Sequence, residues 1–133
     1  MAELRPINTI KLSPSKEGSY ASMLKSTLIS GEEILAEYTS TIGSSSTGFV
    51  VFTNKRIILG EIGAIRKKII SSIPYSRTIT FSISTGIAKF NYDTRLEMYT
   101  YDASGIPYEF LFHDSIKAET IEKIGRVISE KIL

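Results

Sequence analysis

From Glu32 to Phe112 the chain alternates apolar and polar residues in short runs, and a turn signal ends every run. A period of two sends successive side chains to opposite faces, so such runs fold as half-buried strands. In I-L-A-E-Y-T-S-T-I, Ile34, Ala36, Tyr38 and Ile42 share one face, and Glu37, Thr39 and Thr41 take the other. Phe49 to Thr53 is a short, continuously apolar strand. Asn54-Lys55 turns into R-I-I-L-G, E-I-G-A breaks the chain, and K-K-I-I-S-S-I runs to a stop at Pro74. R-T-I-T-F-S-I-S alternates with Ile79, Phe81 and Ile83 inward. R-L-E-M-Y-T-Y and Y-E-F-L-F-H form a last pair joined by D-A-S-G-I-P. Seven strands at close spacing specify a mainly β barrel or sandwich.

The flanks follow different rules. Residues 1 to 16 carry Pro6, Pro14 and scattered polar residues, which predicts an extended arm rather than an element. Tyr20, Met23, Leu24 and Leu28 follow helical spacing, with Gly31 closing a short N-terminal helix. At the other end Ile121, Ile124 and Ile128 form one stripe with Val127 beside them. Asp114 is placed as an N-cap, and Glu119 and Lys123 stand four apart on the solvent side. This second helix is expected to plug one end of the barrel. The chain divides into an arm with a short helix, residues 1–31, and a barrel domain, residues 32–133.

Composition excludes several classes of function. The 133 residues suffice for one domain with one core. There is no cysteine and only one histidine, His113, so thiolate chemistry is absent and neither a metal site nor a Ser–His relay is expected. A formal charge of +2 is too small to signal nucleic-acid binding. No apolar run approaches the roughly 20 residues of a membrane span, and a cytoplasmic location is the expectation. Gly43 and Gly48 have the glycine spacing of a phosphate-binding loop. Phe49 and Val50 follow, however, where that loop needs Lys, Ser or Thr and the start of a helix. The segment is read as a hairpin loop, and no cofactor is expected.

F-T-N-K-R-I-I-L, followed by S-S-I-P-Y-S and a strand of the form T-F-S-I-S, resembles the bacterial pleckstrin-homology (PH) domains. The likeness covers about three quarters of the chain, from Glu32 onward. It implies a seven-stranded bent barrel capped by one C-terminal helix, a binding and assembly module without catalysis, and ring-like homo-oligomers.

Two surfaces are candidate sites. In an up-and-down sheet alternate turns share a rim, which brings Ser44, Ser45 and Ser46 beside Arg66, Lys67 and Lys68. This rim resembles the headgroup site of eukaryotic PH domains, but its first loop lacks their basic residues. Weak binding of anionic lipid at the inner membrane face is therefore the second reading, and a solvated strand edge is the simpler one. Lys55-Arg56 lies at the opposite rim, about 17 Å away across five strand residues, and is read as turn chemistry. Tyr99, Tyr101 and Tyr108 are candidate oligomer-interface residues, because the aromatics of the last two strands exceed what one small interior holds. Their neighbours Arg95, Glu97 and Asp102 do not make a base-stacking surface. The leading expectation is a non-enzymatic module that partners with itself, and with other proteins, but not with nucleic acid.

Overall fold

The computed structural model describes residues 8–15, 18, 20–42, 46–62, 68–85, 94–100 and 107–132. Its elements are β1 (Asn8–Pro14), α1 (Ala21–Leu24), β2 (Ile34–Ile42), β3 (Ser46–Thr53), β4 (Arg56–Ile62), β5 (Lys68–Pro74), a 3-10 turn (Tyr75–Arg77), β6 (Thr78–Thr85), β7 (Thr94–Thr100), β8 (Tyr108–Phe112) and α2 (Ala118–Ile132). The strands form one curled sheet in the order β5-β4-β3-β2-β1-β8-β7-β6.

The expected count of seven strands is corrected to eight among the described residues. The additional strand comes from the arm. Ile10 and Leu12 are buried, and β1 lies antiparallel to β2 and parallel to β8, with Ile10 opposite Phe110. Burying those two side chains and filling two ladders outweighs a local sequence that reads as coil. Proline at the last position of β1 agrees with its exclusion from strand interiors. The expected N-terminal helix shrinks to the four residues of α1. Gly31, at φ 77°, makes the left-handed turn that starts β2.

Two hydrophobic clusters lie on opposite faces of the sheet. The larger fills the inside of the curl with Leu12, Tyr38, Phe52, Tyr75, Met98, Phe110 and Phe112, closed by Ile121, Ile124 and Ile128 of α2. Phe52 meets Phe110 edge-on at 5.6 Å, and Tyr38 meets Phe112 edge-on at 5.7 Å. The smaller cluster is outside: Leu24, Phe49, Val51 and Ile58, with Tyr20, Leu28 and Ile34 packed on it. The continuous apolar run of β3 follows from burial on both faces.

A bulge corrects one facing assignment. The β2–β3 register shifts between Ile34 and Ala36, which leaves Leu35 as the extra residue. Ala36 and Tyr38 therefore pack inward while Ile34 joins the outer cluster. Asp114 is not the N-cap, since α2 begins four residues later at Ala118.

Candidate functional site

The T-N-K-R segment forms a buried polar junction. Thr53 ends β3 and Arg56 starts β4, so the turn between them is two residues long. Thr53 Oγ1 accepts the amides of Lys55 and Arg56 and donates to Glu32 Oε2 at 2.6 Å. Arg56 then grips Glu32 with two prongs, Nε to Oε2 and Nη2 to Oε1, both at 2.9 Å. Nη2 also donates to the Thr27 carbonyl and Nη1 to Ser72 Oγ. Burial alone would raise the Glu32 carboxyl. The hydrogen bonds from Arg56, Thr53 and the Ile29 amide, with the Arg56 charge, more than offset it and hold the group below the usual glutamate value. Asn54 ties the same turn to the start of β2: its Oδ1 accepts the Glu33 amide, and its Nδ2 donates to the Gly31 carbonyl.

S-I-P-Y completes the junction. Tyr75 is fully buried and donates its hydroxyl to the Thr53 carbonyl at 2.8 Å. Burial, and then the Glu32 charge, push its phenol far above the ordinary tyrosine value. The two sequence segments that carry the family resemblance thus bond to each other. Arg56 is a half-buried structural cation that grips a buried carboxylate, not simply a residue that keeps a corner wet. Its partner Glu32 had no local sequence signal, being 24 positions away.

The candidate rim is only partly within the described residues. Gly43 to Ser45 and residues 63–67 lie outside them, which includes Ser44, Ser45, Arg66 and Lys67. The backbone register sets Thr47 opposite Ile62 and Ile62 opposite Lys68, and Ser46 opposite Ile42. The ends of four strands, Ser46 and Lys68 among them, therefore meet at one end of the sheet. Gly48 has a packing reason of its own. A Cβ there would stand 2.2 Å from the Gly60 carbonyl oxygen, while Phe49 covers Gly60 so closely that a Cβ at 60 would fall 2.2 Å from its ring.

Of the candidate interface tyrosines, Tyr108 is half-buried, stacks on Phe110 at 6.3 Å and packs against the inner core. The Tyr99 backbone pairs with Thr80, and Tyr101 lies outside the described residues. Phe110 and Phe112 are fully inside. The interior therefore holds more of these aromatics than their number suggested.

His113, Asp114 and Ser115 are consecutive but cannot work as a triad. Ser115 Oγ lies 2.7 Å from His113 Nδ1, and the Asp114 carboxylate lies 3.1 Å from that same nitrogen. A relay needs the serine on one ring nitrogen and the acid on the other. Among the described residues no three His, Asp or Glu side chains gather as metal ligands, and no helix is long and apolar enough to cross a membrane.

A cleft of about 520 Å³ lies between β2, the start of α2 and the turn before α1. Pro14, Ser15, Leu35, Ala36, Ile116 and Lys117 are among its lining residues.

The family model described as "Bacterial PH domain" matches residues 6–132. The chain belongs to the bacterial PH domain family. The match includes β1, so the arm strand lies within the matched region. This bacterial PH domain is similar in fold to a protein with a pleckstrin-homology domain from Shewanella loihica PV-4. The two are 22% identical with a TM-score of 0.60, covering 95% of this chain and 99% of the other. It is also similar to a pleckstrin homology domain from Shewanella amazonensis SB2B, at 23% identity and TM-score 0.55, covering 91% of both chains. A third likeness is to a PH-domain-containing protein from Exiguobacterium sibiricum, at 9% identity and TM-score 0.59, covering 93% of this chain and 63% of that one. At these identities the likeness concerns the fold. No curated protein matches the chain.

Proposed function

We propose that this bacterial PH domain is a non-catalytic interaction module that associates with copies of itself through its sheet surface. The observation that carries the reading is the pair of sheet edges at β5 and β6, which have no further strand beside them among the described residues. Each edge bears a large exposed apolar side chain: Ile70 on β5 is 36% exposed and Ile83 on β6 is 37% exposed. An uncovered edge offers unpaired amides and carbonyls to another chain. β7, which carries Tyr99, lies one strand in from β6, and β8, which carries Tyr108, one further. Tyr99 therefore lies near that edge, whereas Tyr108 packs against the inner core and does not share its face. Two different edges meeting head to tail give a ring when the rotation closes. Sedimentation at tens of micromolar protein should return a mass several times 14.8 kDa. A monomer at that concentration would remove the reading.

A second reading, weak binding of anionic lipid, is favoured by the convergence of four strand ends at the rim of Ser46 and Lys68. Reversing the charges of Arg66, Lys67 and Lys68 should abolish salt-sensitive pelleting with anionic vesicles and leave the fold intact. Unchanged pelleting would move the site elsewhere.

A further inference from the structure

We infer that the outer face of β1, β8 and β7 docks on the same face of a second copy of this chain, about a two-fold axis that sets Glu97 of each on Arg95 of the other. The inference rests on the self-association proposed above and adds to the sheet edges a contact between faces.

A like-charge pair is the starting point. Ile10, Leu12, Phe110, Phe112, Leu96 and Met98 all belong to the cluster inside the curl. The residues that alternate with them on β1, β8 and β7 therefore share the outer face. The register sets these in two straight rows. Thr9, Glu109, Glu97 and Ser82 stand side by side in one, and Lys11, Leu111 and Arg95 in the next. Glu97 is thus directly opposite Glu109, on two strands that both lie inside the sheet. Like charges in direct opposition destabilise a sheet. Among the described residues neither carboxylate forms an ion pair. Thr9 Oγ1 donates to Glu109 at 3.5 Å, a long bond from a neutral group.

The face is open to a partner. Thr9, Lys11, Arg95 and Ser82 are exposed, and Glu97 and Glu109 are half-buried. The outer cluster lies on the other half of the sheet, where Tyr20, Leu24 and Leu28 pack on β3 and β4. Leu111 belongs to neither cluster, and its row flanks it with Lys11 on one side and Arg95 on the other.

The complement of the acid row is the row beside it, two residues along the strands at about 7 Å. Consider a two-fold axis in the plane of the face, running across the strands midway between the rows. It lays each row on the other row of the partner. Glu97 then faces the partner's Arg95, Arg95 faces the partner's Glu97, and Glu109 comes down between the partner's Lys11 and Arg95. Sheets packed face to face stand about 10 Å apart, a gap that a glutamate and an arginine bridge end to end. A basic peptide would answer the acids and leave Arg95 opposed by its own sign. A surface carrying both rows at this spacing answers both, which is the self-complementarity an isologous contact requires.

The test is sedimentation of the whole chain over a concentration series at low salt. Glu97→Arg makes positions 95 and 97 both basic, and Arg95→Glu makes them both acidic. Each change alone should weaken the association by about tenfold, because two symmetry-related pairs turn repulsive at once. Glu97→Arg also ends the opposition to Glu109, so its melting temperature should hold or rise, which separates lost docking from lost fold. Mixing the two variants in equal amounts should restore the association, as should Arg95→Glu with Glu97→Arg in one chain. Two results would overturn the inference while self-association stands: single variants that keep the oligomeric mass of the unaltered chain, leaving the face to solvent or another partner, or no recovery on mixing. An unaltered chain that stays monomeric would instead remove the self-association reading, and this contact with it.

Discussion

Arg56→Ala is the sharpest test of how this fold is held, because one guanidinium serves three parts of the chain. It grips the buried Glu32, the Thr27 carbonyl and Ser72 at once. The Glu32 side chain is wholly buried, whereas Arg56 keeps some contact with water. Removing one partner of a buried pair costs about 3–5 kcal/mol, and the partial exposure of Arg56 places this case near about 3 kcal/mol. That is a large part of the roughly 5–15 kcal/mol that holds a domain together. With m values of about 1–3 kcal/mol/M in urea, the unfolding midpoint should fall by roughly 1–3 M at pH 7. The pH dependence gives a second readout. In the native protein the Glu32 carboxyl is held low, so its contribution is present above the unfolded value of about 4.3 and is lost as pH falls through the folded one. Without Arg56, desolvation prevails and the carboxyl moves above its usual value. The variant's penalty is then largest at neutral pH and eases on acidification, so the gap between the two proteins should narrow from pH 7 to pH 4. A midpoint change worth less than 1 kcal/mol, or a gap that does not vary with pH, would refute the argument.

Two tyrosines make an internal control. Tyr75→Phe strands the Thr53 carbonyl and should cost about 1–3 kcal/mol, whereas the Tyr38 hydroxyl is buried with no partner among the described residues, so Tyr38→Phe should be neutral or stabilising by chemical denaturation. The same hydroxyl, pushed up to about 12 by burial, should show no ionisation in an absorbance titration to pH 10. Gly60→Ala should lower the melting temperature, since the new methyl would occupy the Phe49 ring's place, an overpacking cost of about 1–3 kcal/mol. Ile124→Asp with Ile128→Asp, both on the buried stripe of α2, should unfold the chain by circular dichroism; a retained melting temperature would remove α2 from the core.

Local signals made most of this fold legible. Alternation located β2 to β8, and the stripe of Ile121, Ile124 and Ile128 named the face of α2 that packs on the core. Tyr20, Leu24 and Leu28 did prove to be packing residues, although their segment holds only one helical turn. What escaped was set by distant partners. β1 offers two inward residues and a proline, and its pairing with β8 joins positions 100 apart in the chain. Glu32 looks like any surface acid until Arg56 is placed beside it. Ile83 was read as inward, and it does lie opposite the buried Leu96, yet it is exposed because β6 is an edge.

That edge has a cause in the direction of the strands. From β5 to β2 direction alternates at each step, and β1 keeps the alternation by running antiparallel to β2. β8 then repeats the direction of β1, and β7 and β6 alternate again. Counted round the curl, β5 and β6 point the same way. Closing the barrel would thus require them to pair in parallel, which needs a crossover of a dozen or more residues. The link between them is the three residues Tyr75–Arg77, spanning at most about 11 Å, against about 23 Å for the length of β5. The short link therefore forbids closure here, and β1 does not alter this, since β8 is antiparallel to β2 and the two edges would point the same way without it. Side-chain substitution at β5 or β6 cannot seal the seam; only a change of connectivity can, by lengthening that link.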